Sequence, residues 1–139
     1  LLLELKQQFG MGLLLITHHL GIVREIADRV AIMYAGQVVE TGPASEVLQH
    51  PWHPYTRALR DAVPHLGAAT ARLRSIPGSL PSPDLMPIGC RFQPRCAFAR
   101  EDCASHAPDW TKVELGRWVR CPYGGADPPE PVRAPKHRP

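Results

Sequence analysis

The first 63 residues alternate between helical and extended patterns of apolar positions. Residues 1–9 place leucines on one helical face, and the glycines at positions 10 and 12 end that helix. Residues 13–16 form a continuous apolar run, which is typical of a strand buried on both faces of a parallel sheet. Apolar residues at helical spacing then predict a helix over residues 20–29. The order strand, polar turn, helix predicts an α/β unit.

Residues 30–40 predict a β-hairpin, and two more helices follow it. Two short apolar runs flank the dipeptide Ala35-Gly36, and a two-residue loop that ends in glycine is a common hairpin connection. Pro43 suits the first turn of the next helix, because a helix leaves its first amide groups unpaired in any case. The last of these helices is predicted over residues 55–62.

Beyond residue 63 the composition shifts toward proline, arginine and alanine. The chain has 16 prolines among 139 residues, which is more than double the usual share of about 5%. Residues 75–87 predict an extended connector, because prolines recur there without helical or strand periodicity. Residues 124–139 predict a disordered tail. The second half therefore offers little apolar surface, and a cross-link or a bound metal would supply the missing stability.

Charge and hydropathy narrow the classes of partner. The formal net charge of +3 is mild and favours no polyanionic partner, so we expect no nucleic-acid binding. No apolar run approaches the roughly 20 residues of a membrane-spanning helix. The chain shows no signal-peptide pattern and opens in a helical pattern without methionine, so we expect a fragment of a longer protein.

Four cysteines are the strongest chemical signal, with the spacing Cys90-x5-Cys96-x6-Cys103-x17-Cys121. Two disulfides are disfavoured because nothing in the chain points to secretion. Zinc sites are usually built from C-x2–4-C pairs, which these spacings are not, while an iron–sulfur cluster tolerates wider spacing. The dipeptide of the last cysteine and Pro122 is typical of ferredoxin-type ligation. The residues alone leave zinc and a cluster equally open.

Three arginines, Arg91, Arg95 and Arg120, directly flank these cysteines. A site of four thiolates carries negative charge, and neighbouring guanidinium groups would offset it. The alternative is that they are ordinary surface arginines.

His18 is the candidate residue of the first half, because it ends the apolar run of residues 13–16. Ligands of open α/β sheets bind at the carboxyl ends of the strands. An imidazole there could donate to a phosphate oxygen or help to orient a water molecule. A histidine that merely ends a strand and bonds nearby backbone fits the same residues, and the residues alone favour that simpler interpretation.

Several stretches of the chain resemble known transport proteins. LLITHHLG at 14–21, ADRVAIMYAG at 27–36 and VETG at 39–42 resemble the C-terminal part of an ABC-transporter nucleotide-binding subunit. HPWHPYTRAL at 50–59 resembles the stretch that follows the core in the ATPases of dipeptide, oligopeptide and nickel importers. The cysteine region, including GCRFQPRC at 89–96, resembles the characteristic C-terminal extension of that family.

This resemblance covers about residues 1–123 and implies an α/β fold in three segments. Residues 1–63 would be the C-terminal part of a P-loop ATPase domain of the ABC type. Residues 64–123 would be a small, irregular, cysteine-rich extension that a metal or a cluster stabilises. Residues 124–139 remain the predicted disordered tail.

The resemblance also implies roles for individual residues. Thr17-His18 matches the switch-histidine segment, in which the histidine contacts the γ-phosphate of ATP, bound with Mg²⁺, and helps to place the attacking water. The family has aspartate after this histidine, whereas this chain has His19, which removes an acidic neighbour. The family extension is associated with a 4Fe–4S cluster, so the resemblance implies this cofactor, with zinc as the alternative. The ligands would be Cys90, Cys96, Cys103 and Cys121.

The function that the resemblance implies is ATP-driven import. The intact subunit would couple ATP hydrolysis to the uptake of dipeptides, oligopeptides or a related solute at the cytoplasmic face of the plasma membrane. Its partners would be a second ATPase subunit, membrane-spanning permease subunits and, indirectly, an extracytoplasmic solute-binding protein. This chain has no G-x-x-x-x-G-K-[ST] loop, signature motif or Walker B strand, so we expect it to be inactive alone. The alternative is a non-enzymatic iron–sulfur or zinc module that acts as a redox sensor or adaptor.

Overall fold

The computed structural model describes residues 2–63, 75–113 and 116–125. In the first half two helices precede a pair of strands and two more helices follow it, and shorter elements make up the second half. In chain order these elements are α1 (Leu2–Phe9), α2 (Leu20–Ile26), β1 (Arg29–Tyr34), β2 (Gln37–Pro43), α3 (Ala44–Gln49), α4 (Pro54–Ala62), α5 (Asp102–Ser105), β3 (Thr111–Lys112) and β4 (Trp118–Val119). Two single-turn 3₁₀ helices also occur, at Pro83–Leu85 and Gln93–Arg95.

The predicted hairpin is confirmed, and its turn explains its sequence. Ala35 and Gly36 both take positive φ, 48° and 76°, which matches the right-handed twist of the flanking strands. The register then jumps, because Met33 pairs with Val38 whereas the preceding residue of β1 pairs with Glu40. The extra residue of β2 forms a β-bulge, a local kink that strengthens the twist of the strand.

Strand β2 joins the two halves of the chain. The sheet order is β1-β2-β4-β3, and each neighbouring pair is antiparallel. Glu40 and Thr41 of β2 pair with Val119 and Trp118 of β4. The bulged Val39 extends this link, because its carbonyl accepts the amide of Arg120 at 2.8 Å. The cysteine-rich half therefore completes the sheet that the first half begins.

The strand predicted over residues 13–16 is wrong for the structure described. The segment forms no helix or strand, and the side chains of Leu14 and Ile16 are 86% and 90% exposed. A parallel strand obtains its hydrogen bonds from neighbouring strands, and no strand of the described residues lies beside this segment. The strand of the predicted α/β unit is therefore absent, whereas the mixed α/β class is confirmed, because helices accompany an antiparallel sheet.

The other helix predictions are confirmed, with small shifts of their ends. Helix α1 ends before Gly10, whose φ of 59° lies in the left-handed region that favours glycine. Helices α2, α3 and α4 lie where the apolar spacing and Pro43 placed them. None of the described helices has the length and apolarity that crossing a membrane needs.

The apolar core draws on both halves of the chain. Its buried members share one cluster, and they are Ile32, Tyr34, Val39, Val47 and Phe92. The ring of Phe92 meets the ring of Tyr34 edge-on, with 5.1 Å between their centres. The division of the chain into segments at 1–63, 64–123 and 124–139 stays a prediction. Residues 64–74 of the predicted extension and residues 126–139 of the predicted tail lie outside the described residues.

Candidate four-cysteine site

The structure brings all four cysteines to one cavity. Cys90, Cys96, Cys103 and Cys121 line a cavity of about 40 Å³. All four are free, half-buried thiols, so the disulfide alternative is not realised. Residues up to 31 positions apart in the sequence thus share one site.

Local backbone geometry accounts for part of this convergence. The 3₁₀ turn at 93–95 lies between the first two cysteines, and the amide of Gln93 donates to the carbonyl of Cys90 at 2.9 Å. The amide of Cys90 in turn donates to the carbonyl of Cys103 at 2.8 Å. Gly89 permits this approach, because a Cβ atom there would clash with the backbone at Cys103.

Burial favours the neutral thiol form of three of these cysteines, Cys90, Cys96 and Cys121. Burial, with a smaller contribution from charge on the neighbouring cysteines, raises the pKa of Cys96 and of Cys121 to about 11. Burial also raises the pKa of Cys90. Metal ligation requires thiolates, so a cation in the cavity would have to replace these protons.

The arginines next to the cysteines do not face the cavity. Arg95 donates to the carbonyls of Ile76 and Pro77, at 3.1 Å and 2.8 Å. Arg91 donates to the carbonyl of Ala35, and Arg120 donates to another backbone carbonyl. The interpretation that these three arginines offset charge at the cysteines is therefore corrected, because they tie segments of the chain together.

Two other arginines line the cavity, and the sequence interpretation missed both. Arg57 of α4 lies 5.8 Å from the centre of the Phe98 ring, and Arg100 lies 3.9 Å from the centre of the Tyr123 ring. Arg57 is 33 positions before Cys90 in the chain, so no spacing rule connects them. The cavity thus has a positive rim that would favour negatively charged contents.

One wall of the cavity comes from the residues that precede α4. Trp52 and His53 line it, and His53 is only 1% exposed. Burial lowers the pKa of His53 to about 4, so its ring is neutral at physiological pH. The Nδ1 atom of His53 accepts the amide of Tyr55 at 3.1 Å and so caps helix α4.

A buried carboxylate holds this wall in place. Glu40, with an exposed fraction of 0%, accepts the amides of Trp52 and His53 at 3.0 Å and 2.9 Å. It also accepts Nη2 of Arg117 at 2.9 Å, and the same atom donates to the carbonyl of His50 at 2.6 Å. These hydrogen bonds, called here the Glu40 network, connect β2 to Trp52 and His53 in the cavity wall and to Arg117, which directly precedes β4.

The side chains as placed do not surround a single ion. Among the described residues, no group of three or more His, Cys, Asp or Glu side chains stands in an arrangement that could hold a metal ion. One tetrahedral zinc, with bonds of about 2.3 Å, would require sulfur atoms about 3.8 Å apart. Rotation about the Cα–Cβ bond changes these separations, whereas the backbone sets which cavity the cysteines share. In number and chemistry, the four thiols fit a four-thiolate ligand set.

His18 lies apart from this site. It is exposed and does not line the cavity; its ring lies 4.2 Å from the ring of His19. The amide of His19 donates to the hydroxyl oxygen of Thr17 at 3.0 Å, which forms a short local turn. The role of His18 toward ATP stays a prediction.

Comparison with known proteins connects this site to a family. Residues 39–103 match the family described as oligopeptide/dipeptide transporter, C-terminal region. A peptide import ATP-binding protein of Brucella melitensis is 48% identical over 122 residues, which are 88% of this chain and 36% of that protein. One of Brucella ovis is 45% identical over 127 residues, which are 87% of this chain and 38% of that protein. The chain thus spans little more than a third of the length of these relatives, and its residues 39–103 match the C-terminal region of the oligopeptide/dipeptide transporter family.

Proposed function

We propose that this chain is the C-terminal part of an ATP-binding subunit that drives peptide import. The observation that carries the proposal is the 48% identity, over 88% of the chain, to a protein named for peptide import and ATP binding. The whole subunit would hydrolyse ATP with Mg²⁺ at the cytoplasmic face of the membrane. It would work with a second ATPase subunit and with permease subunits, while a solute-binding protein delivers the peptide.

His18 is the residue of this chain that we assign to ATP. Its imidazole is exposed at the end of the segment 13–16 and is free to approach a nucleotide held by the rest of the subunit. Phosphoryl transfer depends mainly on positioning and on stabilising the charge of the γ-phosphate. A donor placed at that phosphate would therefore contribute to the rate of hydrolysis.

Replacing His18 by alanine in the full-length subunit is expected to reduce ATP-dependent uptake of peptides about a hundredfold, the usual cost of one positioned donor. Uptake of labelled dipeptides to pentapeptides by cells that carry only the variant subunit measures this. His19→Ala is the matched control and is expected to retain most of the uptake. Normal uptake with His18→Ala would contradict the role of His18, and normal uptake after deletion of the whole subunit would contradict peptide import.

We also propose that the four cysteines hold a 4Fe–4S cluster, with zinc as the alternative ligand. The support is the convergence of four free thiols on one cavity with Arg57 and Arg100 at its rim. Thiolates are the usual ligands of such clusters, and cationic neighbours compensate their charge. A cluster can exchange an electron, but the role proposed here is structural. Bound thiolates would tie the cysteines near the 3₁₀ turn 93–95 to α5 and to the end of β4.

Protein purified without oxygen is expected to absorb broadly near about 400 nm and to contain about four iron atoms per chain. Cys103→Ser should remove this absorption and make residues 88–123 sensitive to protease, because the cross-link is lost. Ser105→Ala, a change on the same short helix, is the matched control. A colourless protein with one zinc would contradict the cluster, and normal iron content in Cys103→Ser would contradict this ligand set. If the purified protein contains iron but cells that lack the subunit still take up peptides, the redox-sensor or adaptor alternative would be favoured.

A further inference from the structure

His53 is the one histidine among the described residues that lines the four-cysteine cavity. It comes from the residues before α4, far in sequence from the cysteines. Its ring is 1% exposed, and 6.0 Å separates its centre from the centre of the Phe92 ring. A polar ring placed between the apolar core and the cavity requires a partner for each of its nitrogen atoms.

The hydrogen bonds of His53 fix which nitrogen carries the proton. Nδ1 accepts the amide of Tyr55, so it bears no hydrogen, and the proton of the neutral ring lies on Nε2. No hydrogen bond within the described residues uses Nε2. This N–H group is therefore the one available to the contents of the cavity.

The ring is also held firmly in its position. The backbone amide of His53 donates to the buried carboxylate of Glu40 at 2.9 Å, and Nδ1 is fixed by Tyr55 at the start of α4. A donor fixed at two points loses little entropy when it makes a further bond. It also cannot readily turn away when the charge in the cavity changes.

We infer that His53 donates a hydrogen bond from Nε2 to a sulfur atom of the cluster and thereby raises its reduction potential. The inference rests on the four-cysteine cluster proposed above. Reduction adds negative charge to a cluster, and a donor to its sulfur atoms stabilises the reduced form more than the oxidised form. His53 is thus a positioning residue for the cluster rather than one of its ligands.

The first test compares His53→Asn with the unsubstituted chain. Asparagine keeps the cap of α4 but is too short to replace the imidazole at the cavity. Loss of one hydrogen bond to a charged group is expected to shift the reduced-to-oxidised equilibrium about tenfold, which lowers the potential by about 59 mV for one electron. His50→Asn, which changes an exposed histidine three positions earlier, should leave the potential unchanged. A redox titration followed by absorption measures all three proteins.

A second measurement keeps the inference testable if His53→Asn fails to fold. Pulsed electron paramagnetic resonance of the reduced protein, labelled with ¹⁵N-histidine, should show a weak nitrogen coupling to the cluster. The coupling should persist in His50→Asn and should be absent from a His53→Gln variant.

The outcomes separate this inference from the proposal beneath it. An unsubstituted chain without iron would overturn both the cluster and the role of His53. A normally loaded cluster whose potential is unchanged in His53→Asn, or which shows no nitrogen coupling, would overturn the role of His53 alone. A lower potential in His53→Asn, with normal iron content, is the supporting result.

Discussion

Glu40→Ala is expected to lower the free energy of unfolding of the chain by about 3–5 kcal/mol, the usual cost of breaking a buried ion pair from one side. The side chains of Glu40 and Arg117 are 1% and 5% exposed. Without the carboxylate, the guanidinium stays buried without a counter-charge, and the amides of Trp52 and His53 lose their acceptor. Urea unfolding of the full chain, followed by tryptophan fluorescence, measures the change.

Two further variants test whether burial of the unpaired charge causes the loss of stability in Glu40→Ala. The double variant Glu40→Leu with Arg117→Met is expected to recover part of the lost stability, because it removes the unpaired buried charge, whereas the amides of Trp52 and His53 still lack their acceptor. Nε of Arg117 is already buried without a partner among the described residues, which strengthens this expectation. Asp61→Ala removes the exposed pair with Arg60 and should cost no more than about 1 kcal/mol. Equal losses in Asp61→Ala and Glu40→Ala would contradict the explanation.

Phe92→Ala is expected to cost about 3–5 kcal/mol, the range for removal of a buried aromatic ring. Phe92 is 2% exposed and packs against Tyr34 and Tyr55, with 5.1 Å and 5.3 Å between ring centres. The loss should also lower iron content, because Phe92 lines the cavity as well as the core. Unfolding by urea and iron analysis of the same preparations test the two effects.

The matched control for Phe92 is Phe9→Ala. Phe9 is 64% exposed at the end of α1, so the same chemical change should cost no more than about 0.5 kcal/mol. If Phe92→Ala were as mild as this control, the cysteine-rich half would not share a core with the first half. A large loss in stability with normal iron content would instead show that Phe92 stabilises the core but is not needed for iron binding in the cavity.

Local patterns predicted those parts of the fold that depend on near neighbours in the chain. The hairpin was predictable because Ala35-Gly36 suits a turn with two positive φ angles. Helix α3 was predictable from Pro43, which directly precedes its first residue. The strand predicted over residues 13–16 was wrong because strand formation requires a neighbouring strand, and the apolar pattern contains no information about where that neighbour lies.

The candidate site was predictable in its ligands but not in its surroundings. Four cysteines in one region indicated a shared site, and the structure places all four on one cavity. Adjacent arginines looked like the charge partners, yet Arg91 and Arg95 bond backbone carbonyls. Arg57 and His53 reach the cavity from α4 and the residues before it, because the sheet and the Glu40 network bring that segment to the cysteines.

By itself, the sequence determined the hairpin, the helices, the set of thiols and the resemblance to the transporter family, because each depends on residue type and short spacing. Only the tertiary structure decided which cations and which histidine face the cavity. It also decided that β4 completes the sheet of the first half, and that Glu40 is buried with Arg117, 77 positions away. These are long-range contacts, and their geometry depends on how the whole chain packs rather than on any one segment.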